Sequence, residues 1–263
     1  MLIIQPSGGL CNRMRVINSA RVLAERRGDA LIVLWYACAE LNCSFEDLFL
    51  PVHDFTIHNI RSLKDPRKLF YQLRARQRLG NEDILQHKTD GVLHEDFFRS
   101  LKDPVYVFTW EHFYPSSDYS CYAPIPSLQS RLDALTASFG PRCVGVHIRR
   151  TDNAVSMGKS TTEQFITLMK KELDAHPDTC FFLATDDMAE ERLLRETFPG
   201  KIISNPNRTL DRNSVAGMHD ALLDLYGLAA TQKLIGSYWS SFTDIAADMG
   251  GLEKVIAGQD SLT

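Results

Sequence analysis

No stretch of this 263-residue chain stays apolar for the roughly 18 residues that a membrane-spanning helix needs. Positive charge is not in excess either: 29 Lys and Arg face 33 Asp and Glu, a net charge of −4. That balance argues against wholesale nucleic-acid binding. Cysteines are few, six in all, scattered and without a Cys-x-x-Cys pair, so neither a disulfide framework nor a zinc site is expected. The one glycine turn between a strand and a helix start, Ser7–Asn12, is not Gly-x-Gly-x-x-Gly and is not followed by Gly-Lys-Ser/Thr, so neither common nucleotide fingerprint applies to it. The first residues lack a basic segment and a cleavage site, so no signal peptide is expected and the cytoplasm is the default location. Internal repeats and low-complexity segments are also missing.

What is present is ordinary globular material, 44% hydrophobic and 24% charged. Its rhythm is strand, then helix. Leu2–Gln5 reads as a strand, Leu10–Arg27 as a helix stopped by Gly28-Asp29, and Ala30–Trp35 as the next strand. A helix over Pro66–Leu79 and a strand over Val105–Trp110 follow in a less regular stretch. The turn formers of Tyr114–Ser127 look like a linker. Beyond them come a helix over Ser127–Ala137, the strand Cys143–Ile148, and a helix over Thr162–Ala175. Then follow the strand Cys180–Ala184, the helix Met188–Thr197, the strand Lys201–Ile203, the helix Ser214–Ala229, the strand Lys233–Ile235 and the helix Ser241–Met249. Strands separated by helices of this length predict parallel, doubly wound sheets. We expect an α/β protein of two Rossmann-like domains, residues 1–122 and 123–263, in a GT-B arrangement with a donor crevice between them.

The most informative segment is Val144-Gly-Val-His-Ile-Arg-Arg-Thr-Asp152. Val144, Val146 and Ile148 alternate toward a core, so His147 and Arg149 share the opposite face. In open α/β sheets ligands bind beyond the carboxyl ends of the strands, where this segment ends. A histidine and an arginine there suit a charged nucleotide; a satisfied histidine and a surface ion pair are the plainer possibility. Arg150 points to the other face, where pairing with a carboxylate would fix the loop. The turn Ser7-Gly-Gly-Leu-Cys-Asn12 lies between a strand and a helix start, where Gly8 and Gly9 would admit a phosphate or simply make a tight turn. Asp186-Asp187 ends a strand and starts a helix, where carboxylates also serve as caps. Asp220 and Asp224 stand four apart on one helix, a mildly repulsive spacing that serves no helix stability. Ser241-x-x-Asp244 is compatible with a capping box. Arg61, Lys64, Arg67, Lys68, Arg74, Arg76 and Arg78 surround Leu69, Phe70 and Leu73. That cluster is either a solvated helix face or a surface for an anionic membrane or a lipid-linked or phosphorylated acceptor.

Four of these motifs occur together and in order: Gly8-Gly9-x-x-Asn12, His147-x-Arg149-Arg150-x-Asp152, Ala184-Thr-Asp186-Asp187 and Ser240-Ser241. In this the chain resembles the fucosyltransferases that use GDP-fucose, those of the α1,6 type, the nodulation enzymes and the protein O-fucosyltransferases. Cys11 stands where the commoner family pattern has its last glycine. The resemblance implies an inverting glycosyltransferase that moves fucose from GDP-fucose to a hydroxyl of a glycan or lipid-linked glycan. It implies no cofactor and no metal, GDP-fucose being a substrate; with no anchor in sight we expect a cytoplasmic enzyme of bacterial surface-polysaccharide synthesis, and from the basic cluster one peripheral to the inner membrane face. It assigns Arg149 to the donor phosphates, His147 to the nucleoside, Asp224 to the N1–H and N2 amino hydrogens of guanine, and Ser240 and Ser241 to the β-phosphate. Gly8, Gly9 and Asn12 belong to the donor turn; Arg150, Asp152, Asp186 and Asp187 rank second. No carboxylate lies between Asp152 and Glu163, so the base for the acceptor hydroxyl is unassigned, with those two as the candidates. Another GDP-sugar, or a nucleotide-binding protein without turnover, fits the same motifs.

Overall fold

A computed structural model describes residues 1–151, 154–206 and 208–259. The chain forms two compact units, Met1–Ile125 with Asp211–Met218, and Pro126–Leu210 with His219–Thr263. Each carries its own five-stranded sheet in which every pairing is parallel.

In the first unit β1 (Leu2–Pro6), α1 (Leu10–Arg27), β2 (Leu31–Tyr36) and β3 (Thr56–Ile60) make the opening run. Then follow α2 (Pro66–Arg74), β4 (Gln77–Leu79), α3 (Asn81–Gln86), the small hairpin β5 (Lys88–Thr89) and β6 (Val92–Leu93), α4 (Glu95–Ser100) and β7 (Val105–Thr109). The sheet order is β3-β2-β1-β7-β4. The helix expected over Pro66–Leu79 is therefore shorter. It ends at Arg74, where Ala75 turns to an extended backbone (ψ 124°), and Gln77–Leu79 pair with Val105–Val107 instead. Three residues at a sheet edge carry no alternation of their own, so the charged helical pattern ran over them.

The Tyr114–Ser127 stretch is not the open linker that its turn formers predict. Tyr122 is wholly buried, its ring 5.3 Å from Phe49, and its hydroxyl donates to the Met14 carbonyl at 2.9 Å. The segment Asp211–Met218 completes this unit from far along the chain. Asn42 donates through its side-chain amide to Asn213 (3.1 Å) and through its backbone to the Arg212 carbonyl (3.3 Å).

The second unit contains α5 (Pro126–Thr136), β8 (Cys143–Ile148), α6 (Ala154–Lys159), α7 (Thr162–Ala175), β9 (Cys180–Thr185) and α8 (Met188–Thr197). After them come β10 (Ile202–Ile203), α9 (Val215–Ala229, inside this unit from His219), β11 (Lys233–Gly236), α10 (Ser241–Gly250) and β12 (Glu253–Ile256). The order β10-β9-β8-β11-β12 runs three strands one way and two the other, so the direction of winding reverses between β8 and β11. That reversal is where a doubly wound sheet opens a crevice.

Val144, Val146 and Ile148 pack with Phe165, Met169, Leu183 and Leu194 on one face, as their alternation requires. The opposite face takes α9 and α10 at short range. A Cβ on Gly236 would come within 2.1 Å of Thr243, so only glycine lets α10 seat against the end of β11. Gly236→Ala is expected to destabilise the protein by about 1–3 kcal/mol, the usual range for an added methyl in a packed site. Urea unfolding measures it, and a variant as stable as wild type would show that the contact is slack.

Candidate functional site

At the reversal point of the second sheet, β8 and β11 pair in register down to His147 and Gly236. One fully buried side chain ties their ends. Ser237 Oγ donates to the His147 carbonyl (3.1 Å) and accepts from the Arg149 N–H (3.0 Å). His147 lies inside this seam, 5% exposed, with Nδ1 2.7 Å from Thr243 Oγ1 and its ring stacked on Phe242 at 4.8 Å.

The loop leaving β8 is gripped by Asp186 at the end of β9. Its carboxylate pairs with Arg149 Nη1 (2.8 Å) and accepts from the Arg150 N–H (2.7 Å) and the Thr151 hydroxyl (2.7 Å). The sequence ranked Asp186 second; in the structure it sets where the Arg149 guanidinium stands. Asp187 caps α8 through the Ala189 N–H (2.7 Å). Arg150 turns away, as its strand parity predicts, into Glu190 (2.9 Å), the Ser160 carbonyl (2.9 Å) and the face of Phe165. Asp152 lies outside the described residues. Glu163 is exposed in the first turn of α7. Hydrogen bonds from its own backbone N–H and from the Thr161 side chain hold its carboxyl below the usual range, the wrong direction for a proton acceptor near neutrality.

Ser240 caps α10, with its hydroxyl making no capping bond, and Ser241 is the first helical residue. The Ser241–Asp244 capping box does not form, because Asp244 pairs with Lys254 and the cap falls one residue earlier. A ten-residue helix thus starts, next to Arg149's strand end, with amides that no side chain caps.

The two aspartates of α9 differ. Asp220 is engaged by Arg131 (2.6 Å), the Thr209 N–H (2.8 Å) and Asn205 (3.3 Å). Asp224 is buried with its Oδ1 unpartnered. Burial pushes its carboxyl up to about 7; Arg208 opposes the rise, while Asp220 and Glu191 add to it. The Arg208 side chain is 2% exposed and held by Glu191 (2.7 Å) and the Thr185 carbonyl (3.2 Å), with Nε and Nη1 unpartnered.

In the first unit the glycine turn follows β1, beside β7, the corresponding reversal point. Gly8 has φ +79°, and a Cβ there would sit 2.8 Å from the Asn12 amide, so both conformation and space require glycine. Gly9 caps the 18-residue α1, whose first turn has no acid and no side-chain cap. Cys11 is buried and faces the interior. The turn is pinned by Arg13, which sequence reasoning passed over. Its guanidinium is 1% exposed and donates to the Gly8 carbonyl (2.8 Å), the Tyr36 carbonyl (2.6 Å) and Cys38 Sγ (3.1 Å). Burial holds its pKa below that of a free arginine. Arg13, Arg208, Ser237 and Thr243 all gain their meaning from partners distant in sequence.

Comparison with protein-family models finds no match, and comparison with curated proteins by sequence finds none either. Solved structures do match. The NodZ α1,6-fucosyltransferase, known from Bradyrhizobium, superposes in its form soaked with GDP-fucose at TM-score 0.67 and 19% identity, over 94% of this chain and 92% of that one. A variant of FUT1 from Arabidopsis thaliana in complex with GDP gives 0.66 and 14%, over 97% and 69%. POFUT1 in complex with GDP-fucose gives 0.63 and 11%, over 98% of each chain. The chain therefore has the fold of these fucosyltransferases, in agreement with the resemblance carried by its motifs.

The buried Asp224 carboxyl makes stability depend on pH. The folded protein binds its proton with a midpoint near 7, the unfolded chain near 3.9. Between those values the native state holds more protons, so stability falls as pH rises from 4 to 7 and stays low above. Asp224→Asn is expected to raise the melting temperature at pH 8, where the penalty is on the order of 4 kcal/mol, and to leave it unchanged at pH 4. Arg208→Gln moves the carboxyl's midpoint, read by carbon NMR, further upward. A midpoint near 4 in the wild type would refute the assignment.

Proposed function

We propose that the chain is an inverting glycosyltransferase that moves fucose from GDP-fucose to a hydroxyl of a glycan acceptor. The observation that carries this reading is Arg149, fixed by Asp186 beside the uncapped start of α10, in a fold shared with GDP- and GDP-fucose-bound fucosyltransferases. As the glycosidic bond breaks, negative charge grows on the β-phosphate of the leaving GDP. A guanidinium already held in place stabilises that charge more than it does the intact donor. The α10 amides with the hydroxyls of Ser240 and Ser241 supply the remaining donors. Positive charge at the diphosphate then comes from the protein, and the reaction proceeds without a bound metal or cofactor. Asp224, ionised, accepts N1–H and the N2 amino hydrogen of guanine, an edge that adenine and the pyrimidines lack. His147 borders the nucleoside, and the amides after Gly8 and Gly9, with Asn12, take part in holding the donor. The acceptor hydroxyl attacks the anomeric carbon from the face opposite the leaving GDP, which inverts it. The candidates for its proton are Asp152 and Glu163, the latter with its carboxyl held below the usual range.

Calorimetric titration with GDP, ADP and UDP tests the donor site. GDP binds selectively, more weakly below pH 7 as Asp224 takes up its proton. Arg149→Ala weakens GDP about tenfold to a hundredfold, the range for a charge-assisted hydrogen bond, and Asp224→Ala brings GDP down to the level of ADP. Equal binding of the three nucleotides removes the reading. Selective binding without transfer or hydrolysis leaves a nucleotide-binding protein.

Among the described residues no helix is long and apolar enough to cross a membrane. The α2 face, however, exposes Leu69 (44%), Phe70 (49%) and Leu73 (81%) beside Arg74, with Arg61, Lys64 and Arg76 flanking. We propose that this face rests on the anionic cytoplasmic surface of a bilayer, where a lipid-linked acceptor is made available. Co-sedimentation with vesicles containing a third phosphatidylglycerol, but not with pure phosphatidylcholine, is expected, and Leu73→Glu abolishes it. No salt-sensitive sedimentation with the anionic vesicles would make α2 a solvated face.

A further inference from the structure

Two described non-glycine residues have a left-handed backbone, Asp90 (φ +50°) and Trp239 (φ +50°). Asp90 needs no special account. It sits with Gly91 in the tight turn of the β5–β6 hairpin, where a short polar side chain tolerates that conformation. Trp239 has no such excuse. A bulky side chain is strained there, and the indole is 75% exposed, so core packing does not hold it. Strain of this kind persists where the surroundings impose it, and they do here. Ser237 is locked between β8 and Arg149, and the Tyr238 N–H donates to Ser160 Oγ at 2.8 Å. Ser160 is itself fully buried and bonded to the Ala257 carbonyl (2.6 Å). The turn from β11 into α10 is thereby fixed, with the largely exposed indole one residue before Ser240.

We infer that Trp239 is the platform for the donor's sugar ring, stacking on its apolar face and on the methyl group that fucose carries at C5. The inference rests on the GDP-fucose reading above. With the β-phosphate at the start of α10 and against Arg149, the sugar emerges beside the residue that precedes the cap. A flat apolar surface there favours a ring whose C6 is a methyl over one whose C6 bears a hydroxyl, because the hydroxyl loses water against the indole without gaining a partner. Trp239 would thus choose the sugar while Asp224 chooses the base.

The test compares GDP, GDP-fucose and GDP-mannose binding to wild type and to Trp239→Gly, by calorimetry. Wild type is expected to bind GDP-fucose at least about fivefold tighter than GDP or GDP-mannose. In Trp239→Gly the preference disappears, affinity for GDP stays within about twofold, and the melting temperature is not lowered, since glycine suits φ +50°. Trp239→Asn, which also tolerates this backbone, serves as the second variant should the glycine form fail to fold. A preference for GDP-fucose that survives both substitutions, an equal loss for all three ligands, or no preference in wild type overturns the inference while leaving selective GDP binding intact. Failure of wild type to bind GDP removes the parent reading, and this one with it.

Discussion

The second unit depends on the joint between β8 and β11, two strands far apart in the chain that must end side by side. The sheet brings them into register, but it is Ser237, the first residue beyond β11, that ties the end of β8 to it, through the His147 carbonyl and the N–H of Arg149. Once that hydroxyl is in place, the backbone of Arg149 is fixed. Gly236 then allows α10 to approach closely enough for Thr243 to reach His147. Candidate site and packing are therefore the same contacts: the helix whose start stands uncapped beside Arg149 is seated by the residues that orient the strand end. A methyl group in the wrong place at 236 would disturb both.

Charge in this unit is arranged in two contrasting ways. Around the β8 loop each cation meets a carboxylate at hydrogen-bond distance, Arg149 with Asp186 and Arg150 with Glu190. Such pairs fix geometry more than they add stability. Around Asp224 the opposite holds. Its Oδ1 and two nitrogens of Arg208 are buried without partners, and the carboxyl titrates near neutrality. Native proteins seldom leave buried polar atoms so, and where they do, a ligand that completes the hydrogen bonds is a sufficient physical reason.

Much of this was legible in the sequence where local chemistry decides structure. Helix α1 has the predicted limits because Gly28 in the left-handed conformation stops it, and β8 has them because its alternation is unbroken. Three of the four edge strands of the five-stranded sheets escaped. β3 is half polar, β4 is three residues inside a helical pattern, and β12 begins with two charged residues. An edge strand pairs on one side only, and β3 and β12 stay partly exposed along their length, so little forces an apolar pattern upon them. At the site the same division holds. His147, Arg149 and Asp186 could be found because strand parity and motif spacing point to them. Arg13 and Arg208 could not, since an arginine near a helix start reads as surface until the carbonyls it meets are known. Tyr122 escaped for a related reason, its turn-rich neighbours masking an aromatic that the β1–α1 layer needed.

The first unit is not contiguous in the chain, and this bears on its biosynthesis. Its sheet and its helices are complete by Ile125, yet Asp211–Met218 belongs to it and is held by Asn42. A nascent chain emerges in order, and domains usually fold as they appear. Here the earlier unit must wait, nearly finished, until most of the later one has left the ribosome. Its last contacts close only after β8, β9 and β10 exist. The amino-terminal half is thus the first to begin folding and is denied its final residues longest, which gives the order of synthesis a hold over maturation that the order of the sheets alone would not suggest.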